Sequence, residues 1–534
     1  MFRSRTTRQR TTRRLVAATA LVAAAVVAPN AAGYGGEAVS GESLSAADVE
    51  LILAQAVGKA QGLDFAATIA VTDREGNVLG TFAMNGARSD VLMGSTNAVV
   101  DPDGLEGTRL PLGAAAAAVS KAGTAAHLSS DANAFTTRTA NFIVQENIPP
   151  GITSQPGGDL FGVQFSQLPC SDVTRGPLPL GLSADPGGVP IYKNGALVGG
   201  IGVEGDGFYS IDISIQDREN LPEELIAAAA AWGFVAPATI RADQISIDGM
   251  TLPYGTVAEA APQLASLAEG AMLVAPKAQP ASRFGFTTVD GVPVKFDSRF
   301  FPPKAGSGLT AADVTRVLTQ ALQQAVRTRS AIRVPVGSPV EVNITVVDVN
   351  GAVVGSFSTQ DAPYFGFDVS AQKARTAAFF SRADAGALLR AAGQDAYVDA
   401  AAAVGVRLDG TVAFSSRAIG SLSDDGAPFG PSAGAASPLN TGLQLALAQS
   451  ALLDGANGAA ASGCTPVPGL SNGMQIHGGG VPIYKNGALV GAIGISGDGI
   501  EEDEFVAANG IAGFEAPSAM TSDNIRVNGV LLPY

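Results

Sequence analysis

The chain has 534 residues, 46% hydrophobic and 15% charged, too many for one ordinary core and too apolar for a disordered protein. Its formal net charge of −15 repels nucleic acid phosphates and excludes a nucleic-acid partner. With 2 histidines, 2 cysteines and 1 tryptophan, it lacks the nitrogen and sulfur donors of a zinc centre.

Residues 1–33 have the pattern of an export signal. Six arginines (Arg3, Arg5, Arg8, Arg10, Arg13 and Arg14) precede an apolar run from Leu15 to Ala28, and Ala31-Ala32-Gly33 offers small residues for cleavage. The pair Arg13-Arg14 fits a twin-arginine signal; an ordinary secretory signal fits equally well. Removing the segment takes the net charge from −15 to −21. No later stretch is apolar for long enough to cross a membrane, so the expected product is exported, periplasmic or extracellular, with no transmembrane segment.

Ser45, with Asp48 three residues on, predicts a capped helix whose apolar face carries Val49, Ile52, Leu53, Ala56 and Val57. Thr68–Val71 and Val78–Phe82 flank the turn Asp73 to Gly76, which predicts a hairpin. A small-residue helix follows over Gly113–Leu128. Asn194-Gly195 is a type I′ hairpin signal between apolar strands. A last helix, Pro222 to Trp232, precedes a closing hairpin at Asp248-Gly249.

The same order then recurs. Gly187 to Gly199 (GGVPIYKNGALVG) returns unchanged as Gly479 to Gly491. Leu44–Val49 matches Leu309–Val314, Asp73–Gly76 matches Asp348–Gly351, and Lys121–Ala126 matches Lys373–Ala378. Gly233–Pro237 matches Gly513–Pro517, and both copies end in Leu-Pro-Tyr, at Tyr254 and Tyr534. Collinear matches of this kind predict a duplicated domain, 44–254 and 309–534. Residues 255–308 form a linker with a hairpin signal at Asp290-Gly291. The second copy is longer, and the Ala/Gly-rich segment 396–463 is expected as an inserted surface loop. Each copy predicts an antiparallel sheet with helices against it, an α+β domain.

Three motifs carry a resemblance: the Asp-x-x-Gly hairpin, the Lys-Ala-x-Thr-Ala-Ala helix, and Gly-Gly-Val-Pro-Ile…Gly-Ala-Ile-Gly-Ile-Ser-Gly followed by Asp503-Glu504. In these the chain resembles the GlcG/HbpS haem-binding (haem-degrading) family, also found as the C-terminal domain of some cobalamin adenosyltransferases. The second copy fits best; the first has Glu204 in place of Ser496 and extra residues between Gly207 and Glu223. The resemblance implies two tandem profilin-like α-β-α sandwich domains, a tendency to form a homo-oligomer, and haem or a related tetrapyrrole as cofactor.

Haem iron takes His, Met, Cys or Tyr ligands. His477 precedes a glycine run where backbone can approach a flat ligand. His127 ends the small-residue helix, where the second copy has Phe379, so the copies share no histidine. Tyr192 and Tyr484 are phenol candidates present in both copies. Lys121 and Lys373 are candidates to pair a propionate, with Thr124 and Thr376 one turn later on the same face. Against each stands a bland alternative: a helix-end residue for the histidines, strand filler for the tyrosines, a snorkelling side chain for the lysines. Asp503 and Glu504, matched by Glu223 and Glu224, are expected as helix-opening acids at the positive end of the dipole. No metal site is expected beyond haem iron, and no catalytic constellation is expected.

Cys170 and Cys464 stand 19 and 17 residues before the valine of the shared motif. If the copies pack about a pseudo-twofold axis, equivalent residues near it meet, and a Cys170–Cys464 disulfide is expected; two separate buried thiols are the alternative. The expected function is secreted haem binding for sequestration, transport or redox sensing. A peroxidase-like or haem-degrading enzyme and a non-catalytic assembly module are the alternatives.

Overall fold

The computed structural model describes residues 41–94, 107–110, 112–144, 162–176, 178–212, 221–247, 249–423, 443–456 and 463–534. The segment expected as an export signal, 1–33, and Asp248 of the expected closing hairpin lie outside them.

In the first copy helix α1 (Ala46–Gly62) starts at Ser45, whose Oγ accepts the Asp48 N–H at 3.1 Å while Asp48 accepts the Ser45 N–H at 2.8 Å. Strands β1 (Thr68–Asp73) and β2 (Val78–Met84) form the expected hairpin. Asp73 Oδ1 closes it by accepting the Glu75 and Asn77 N–H groups, each at 2.9 Å. Helix α2 (Gly113–Leu128) and helix α3 (Thr137–Val144) lead to strands β3 (Gly188–Lys193) and β4 (Ala196–Glu204). Asn194 and Gly195 turn between them at φ 51° and 85°, the left-handed pair of a type I′ turn. Helix α4 (Pro222–Ala230) then packs beside α1.

The linker supplies strands to both sheets. Strand β5 (Gly270–Val274) pairs with β2, while β6 (Phe284–Val289) and β7 (Val292–Asp297) form a hairpin around Asp290-Gly291 that joins the second sheet.

The second copy repeats the plan. Helix α5 (Ala311–Arg327) starts at a Thr310–Asp313 capping box. Strands β8 (Val342–Asp348) and β9 (Val353–Thr359) precede helix α6 (Phe365–Phe380). Among the described residues four further helices follow: α7 (Ala385–Ala391), α8 (Asp395–Ala403), α9 (Ser416–Ser423) and α10 (Leu443–Ala456). Strands β10 (Gly480–Lys485) and β11 (Ala488–Gly497) and helix α11 (Ile500–Gly510) complete it.

The sheets run in the orders β3-β4-β1-β2-β5 and β10-β11-β8-β9-β7-β6, antiparallel throughout. Their first four strands therefore correspond one to one. In the first copy α1 and α4 cover one face through Ile52, Leu53, Ile226 and Ala230 against Ile69, Phe82 and Ile201, and α2 covers the other. Glycine lets α2 and α6 approach: a Cβ on Gly202 would stand 2.1 Å from the Ala118 carbonyl, and one on Gly494 1.9 Å from that of Ser370. Each copy is thus an α-β-α sandwich of α+β class.

The helical faces of α2 and α6 turn toward the other copy. Asp172 takes a bidentate bond from Arg375, both contacts at 2.7 Å. Asp368 accepts the Gln167 N–H at 2.9 Å and the Ser171 hydroxyl. Cys170 and Cys464 are disulfide-bonded, with Cα atoms 5.1 Å apart.

Residues 424–442 and 457–462 of the segment expected as an inserted loop lie outside the described residues; those described, 396–423 and 443–456, are largely helical. Ser129 Oγ bonds the Phe135 N–H at 2.9 Å, and Ser381 Oγ bonds that of Phe414 at 2.9 Å. These bonds align the copies on either side of α7 and α8, so much of the extra length enters between Ser381 and Phe414, starting upstream of residue 396. Alanine makes such segments good helix formers, and Leu389, Tyr397 and Ala401 bury themselves against Phe380 and Phe414.

Candidate functional site

In both copies the helix on the inter-copy face carries a lysine whose ammonium is withdrawn from water. Lys121 is 0% exposed. Its Nζ lies 2.7 Å from Glu223 Oε2, 2.9 Å from Asp185 Oδ2 and 3.0 Å from Glu204 Oε2. Burial alone would lower the lysine's pKa; the three carboxylates outweigh it and hold the value well above the usual one. Burial pushes Glu204 up to about 8 against the pull of Lys121, and raises Asp185 and Glu223 as well.

Lys373 in the second copy meets one carboxylate, Asp503 Oδ2 at 2.8 Å. Burial pushes Asp503 up to about 7, against Lys373. By strand register Ser496 stands where the first copy has Glu204, and His477 stands where it has Asp185. One ammonium thus faces three acids in one copy and a single acid in the other.

The lysines do not snorkel, and their own chain's carboxylates take the place expected for a ligand's. Nor are the helix-opening acids simple dipole partners. Glu223 and Asp503 hold the lysines, while the next residue in each copy holds an arginine: Glu224 Oε2 meets Arg138 at 2.6 Å and Glu504 Oε2 meets Arg417 at 2.6 Å. The threonines are also committed. Thr124 Oγ1 donates to the Ser120 carbonyl and accepts the Ser183 N–H at 2.6 Å. Thr376 Oγ1 donates to the Gln372 carbonyl and accepts the Gln475 N–H at 2.8 Å. Both pin the strand that leads to the glycine motif.

The other candidates separate by exposure. His127 is fully buried with its ring centroid 4.4 Å from that of Tyr364, and burial pushes its pKa down to about 3. The Tyr192 hydroxyl donates to the carbonyls of Ser130 and Asn133, at 2.7 and 2.9 Å. Tyr484 is 3% exposed and packs against Ala413 and Ala516. None of these three presents an open face to a flat ligand. His477 is half-buried. Its carbonyl accepts the Ser416 hydroxyl at 2.5 Å, and the Arg417 guanidinium lies 3.1 Å from where a Cβ on Gly478 would stand. Arg417 also reaches Glu501 at 3.5 Å.

Asp185 and Arg417 were not singled out in the sequence, and Glu204 was noted only as a departure from the motif. Among the described residues Asp185, Glu204 and Glu223 are the group whose carboxylates converge closely enough to hold a metal ion, and Lys121 already supplies their positive charge. No described helix is long and apolar enough to cross a membrane.

Residues 309–512 match the family model described as "Haem degrading protein HbpS-like". Solved structures similar to the chain include these two. One is the protein ORFY of Klebsiella pneumoniae, at 19% identity over 37% of this chain and 94% of that one, with a TM-score of 0.23. The other is a PduOC:heme complex, at 18% identity over 39% and 97%, with a TM-score of 0.21. No curated protein matches the chain.

Proposed function

We propose, from the match of residues 309–512 to the HbpS-like family model, that this protein is an exported haem-binding protein and that haem is held by the second copy at its His477 edge. The observation that carries the placement is the contrast between the two histidines: His127 is sealed against Tyr364, whereas His477 is half-buried beside a glycine run. An imidazole is a usual axial ligand; Arg417 beside Gly478 is paired with Glu504 and would share its guanidinium with a propionate. The first copy has Asp185 at the corresponding position, spent on Lys121. One haem per chain follows. The arginine-rich leader and the disulfide support export, by the general or the twin-arginine route, and sequestration, transport or redox sensing as the role.

Titrating apoprotein with haem tests this. The expected result is a Soret band saturating at one equivalent, weakened and shifted in His477→Ala and unchanged in His127→Phe, which copies the residue of the second copy. A band unaffected by His477→Ala overturns the placement, and no band at all overturns haem binding. The family's description favours a second reading, in which the bound haem is degraded. Bleaching of the Soret band with release of iron under peroxide, absent from His477→Ala, distinguishes degradation from storage. Light scattering on the loaded protein reads whether the chain assembles further into a homo-oligomer.

A further inference from the structure

Between the two copies lies a half-open groove of about 70 Å³. Its walls are largely apolar, with Leu128, Phe135, Ile143 and Leu252 from the first copy facing Phe365 from the second. The polar residues at its edge are mostly spent. Arg333 bonds Asp361 and Asp498, and Ser130 Oγ accepts the N–H groups of Ala132 and Asn133. Asn133 differs. It is 3% exposed, and its Nδ2 donates to the Ile332 carbonyl at 2.9 Å, which orients the amide. Its Oδ1 is buried without a partner among the described residues. A buried acceptor left unpaired is costly, and a donor arriving with a ligand removes that cost.

The second copy shows what such a wall accommodates. Phe380, Val412, Phe414 and Leu532 occupy the positions of Leu128, Asn133, Phe135 and Leu252. There the chain covers the wall with its own α7 and α8, and the Tyr397 ring packs on Phe380 with centroids 6.1 Å apart. Between Ser129 and Phe135 the first copy has no inserted helices to do the same, and at its wall the valine is replaced by the asparagine whose acceptor is unpaired among the described residues.

We propose that this groove is a binding site for a single-ring phenol or comparable aromatic alcohol, the ring against Phe135 and Leu252 and the hydroxyl donating to Asn133 Oδ1. Its volume is about half that of the engineered apolar cavity, roughly 150 Å³, that admits benzene. A single ring therefore seats only in part, its outer edge left in the open mouth, and a fused polycycle or a macrocycle finds too little wall, so the groove is a separate site from that proposed for haem.

The test compares phenol with anisole and toluene on the full mature protein, by calorimetry and by saturation-transfer NMR. The hydroxyl should give phenol a preference of roughly tenfold over both, the factor for one net hydrogen bond of about 1.4 kcal/mol. Asn133→Val should erase the preference while toluene still binds, and Leu252→Trp, which fills the groove, should abolish binding of all three. Equal binding of phenol and anisole to the wild-type protein, or no saturation transfer to any of them at millimolar concentration, overturns the proposal. Because the wild-type comparison decides it alone, a variant that fails to fold does not shelter it, and the haem titration is unaffected by either outcome.

Discussion

Replacing Glu204 by glutamine should stabilise the protein in alkaline solution and leave it nearly unchanged in acid. In the native state one ammonium, Lys121, faces Asp185, Glu204 and Glu223 within 3.0 Å, so full ionisation leaves two uncompensated negative charges in a site closed to water. The folded protein therefore resists ionising Glu204, whose pKa rises through burial from 4.5 to about 8. For an acid whose folded value exceeds its unfolded one, the native state binds more protons across that interval. Stability is then fully present below about pH 4.5 and is lost as the pH climbs toward 8. At about 1.4 kcal/mol per pH unit, the whole interval amounts to at most about 5 kcal/mol. Three acids share the strain, so a gain of roughly 2–3 kcal/mol at pH 9 is expected for Glu204→Gln. At pH 4.5 the amide replaces a carboxyl that is already mostly protonated, and the difference should fall below about 1 kcal/mol. The reciprocal change, Ser496→Glu, brings a second acid to Lys373 and should destabilise the second copy, increasingly as the pH rises. Differential scanning calorimetry between pH 4.5 and 9 measures both. A Glu204→Gln protein that melts lower than wild type at pH 9 would refute the reasoning, because it would mean that all three charges are needed to hold Lys121.

Other perturbations test the joint between the copies and the sandwich itself. Removing the Cys170–Cys464 bond, whose loop spans 294 residues, should cost about 2–5 kcal/mol; melts with and without reductant, and a linked peptide in the non-reduced digest, check it. Arg333→Met leaves Asp498, 1% exposed at its side chain, without its cation, and should cost about 3–5 kcal/mol, visible in chemical denaturation. Gly494→Ala places a methyl 1.9 Å from the Ser370 carbonyl and should push α6 off the sheet, lowering the melting temperature with a loss of about 2–4 kcal/mol.

What could be read in advance was local. Ser45–Asp48 and Thr310–Asp313 announce their helices because cap and partner lie within one turn. The turns at Asn194-Gly195 and Asn486-Gly487 announce hairpins because their left-handed backbone admits few residue pairs. The disulfide was legible because the chain offers two cysteines, one in each copy at a similar distance before the shared motif. The lysine sites were not. Lys121 and Glu204 are 83 residues apart in sequence, and only the crossing of α2 over β4 brings them together. The available signal was the exchange of Glu204 for Ser496 at matched strand positions, noted as a departure from a motif when it was a change in charge around a buried cation. Helices α7 and α8 were hidden for a different reason. Alanine-rich sequence carries little amphipathic contrast, so a segment that folds as helix has the composition of a loop.

The duplication also explains why the two copies can differ where they do. Both keep the parts that hold the sandwich together: the capping boxes, with Lys193 and Lys485 docked on Asp48 and Asp313 at 2.9 and 2.8 Å, the threonines that pin the glycine strands, and the glycines under α2 and α6. Around each lysine the chemistry is free to vary, since a single carboxylate suffices for Lys373. The first copy has filled that freedom with acids. Asp185 there satisfies an ammonium, and the matching His477 is half-buried. Where the second copy grew helices over its apolar wall, the first left the wall open and placed Asn133 on it. The copies therefore differ at matched positions, and a chain of two similar sandwiches presents two dissimilar surfaces.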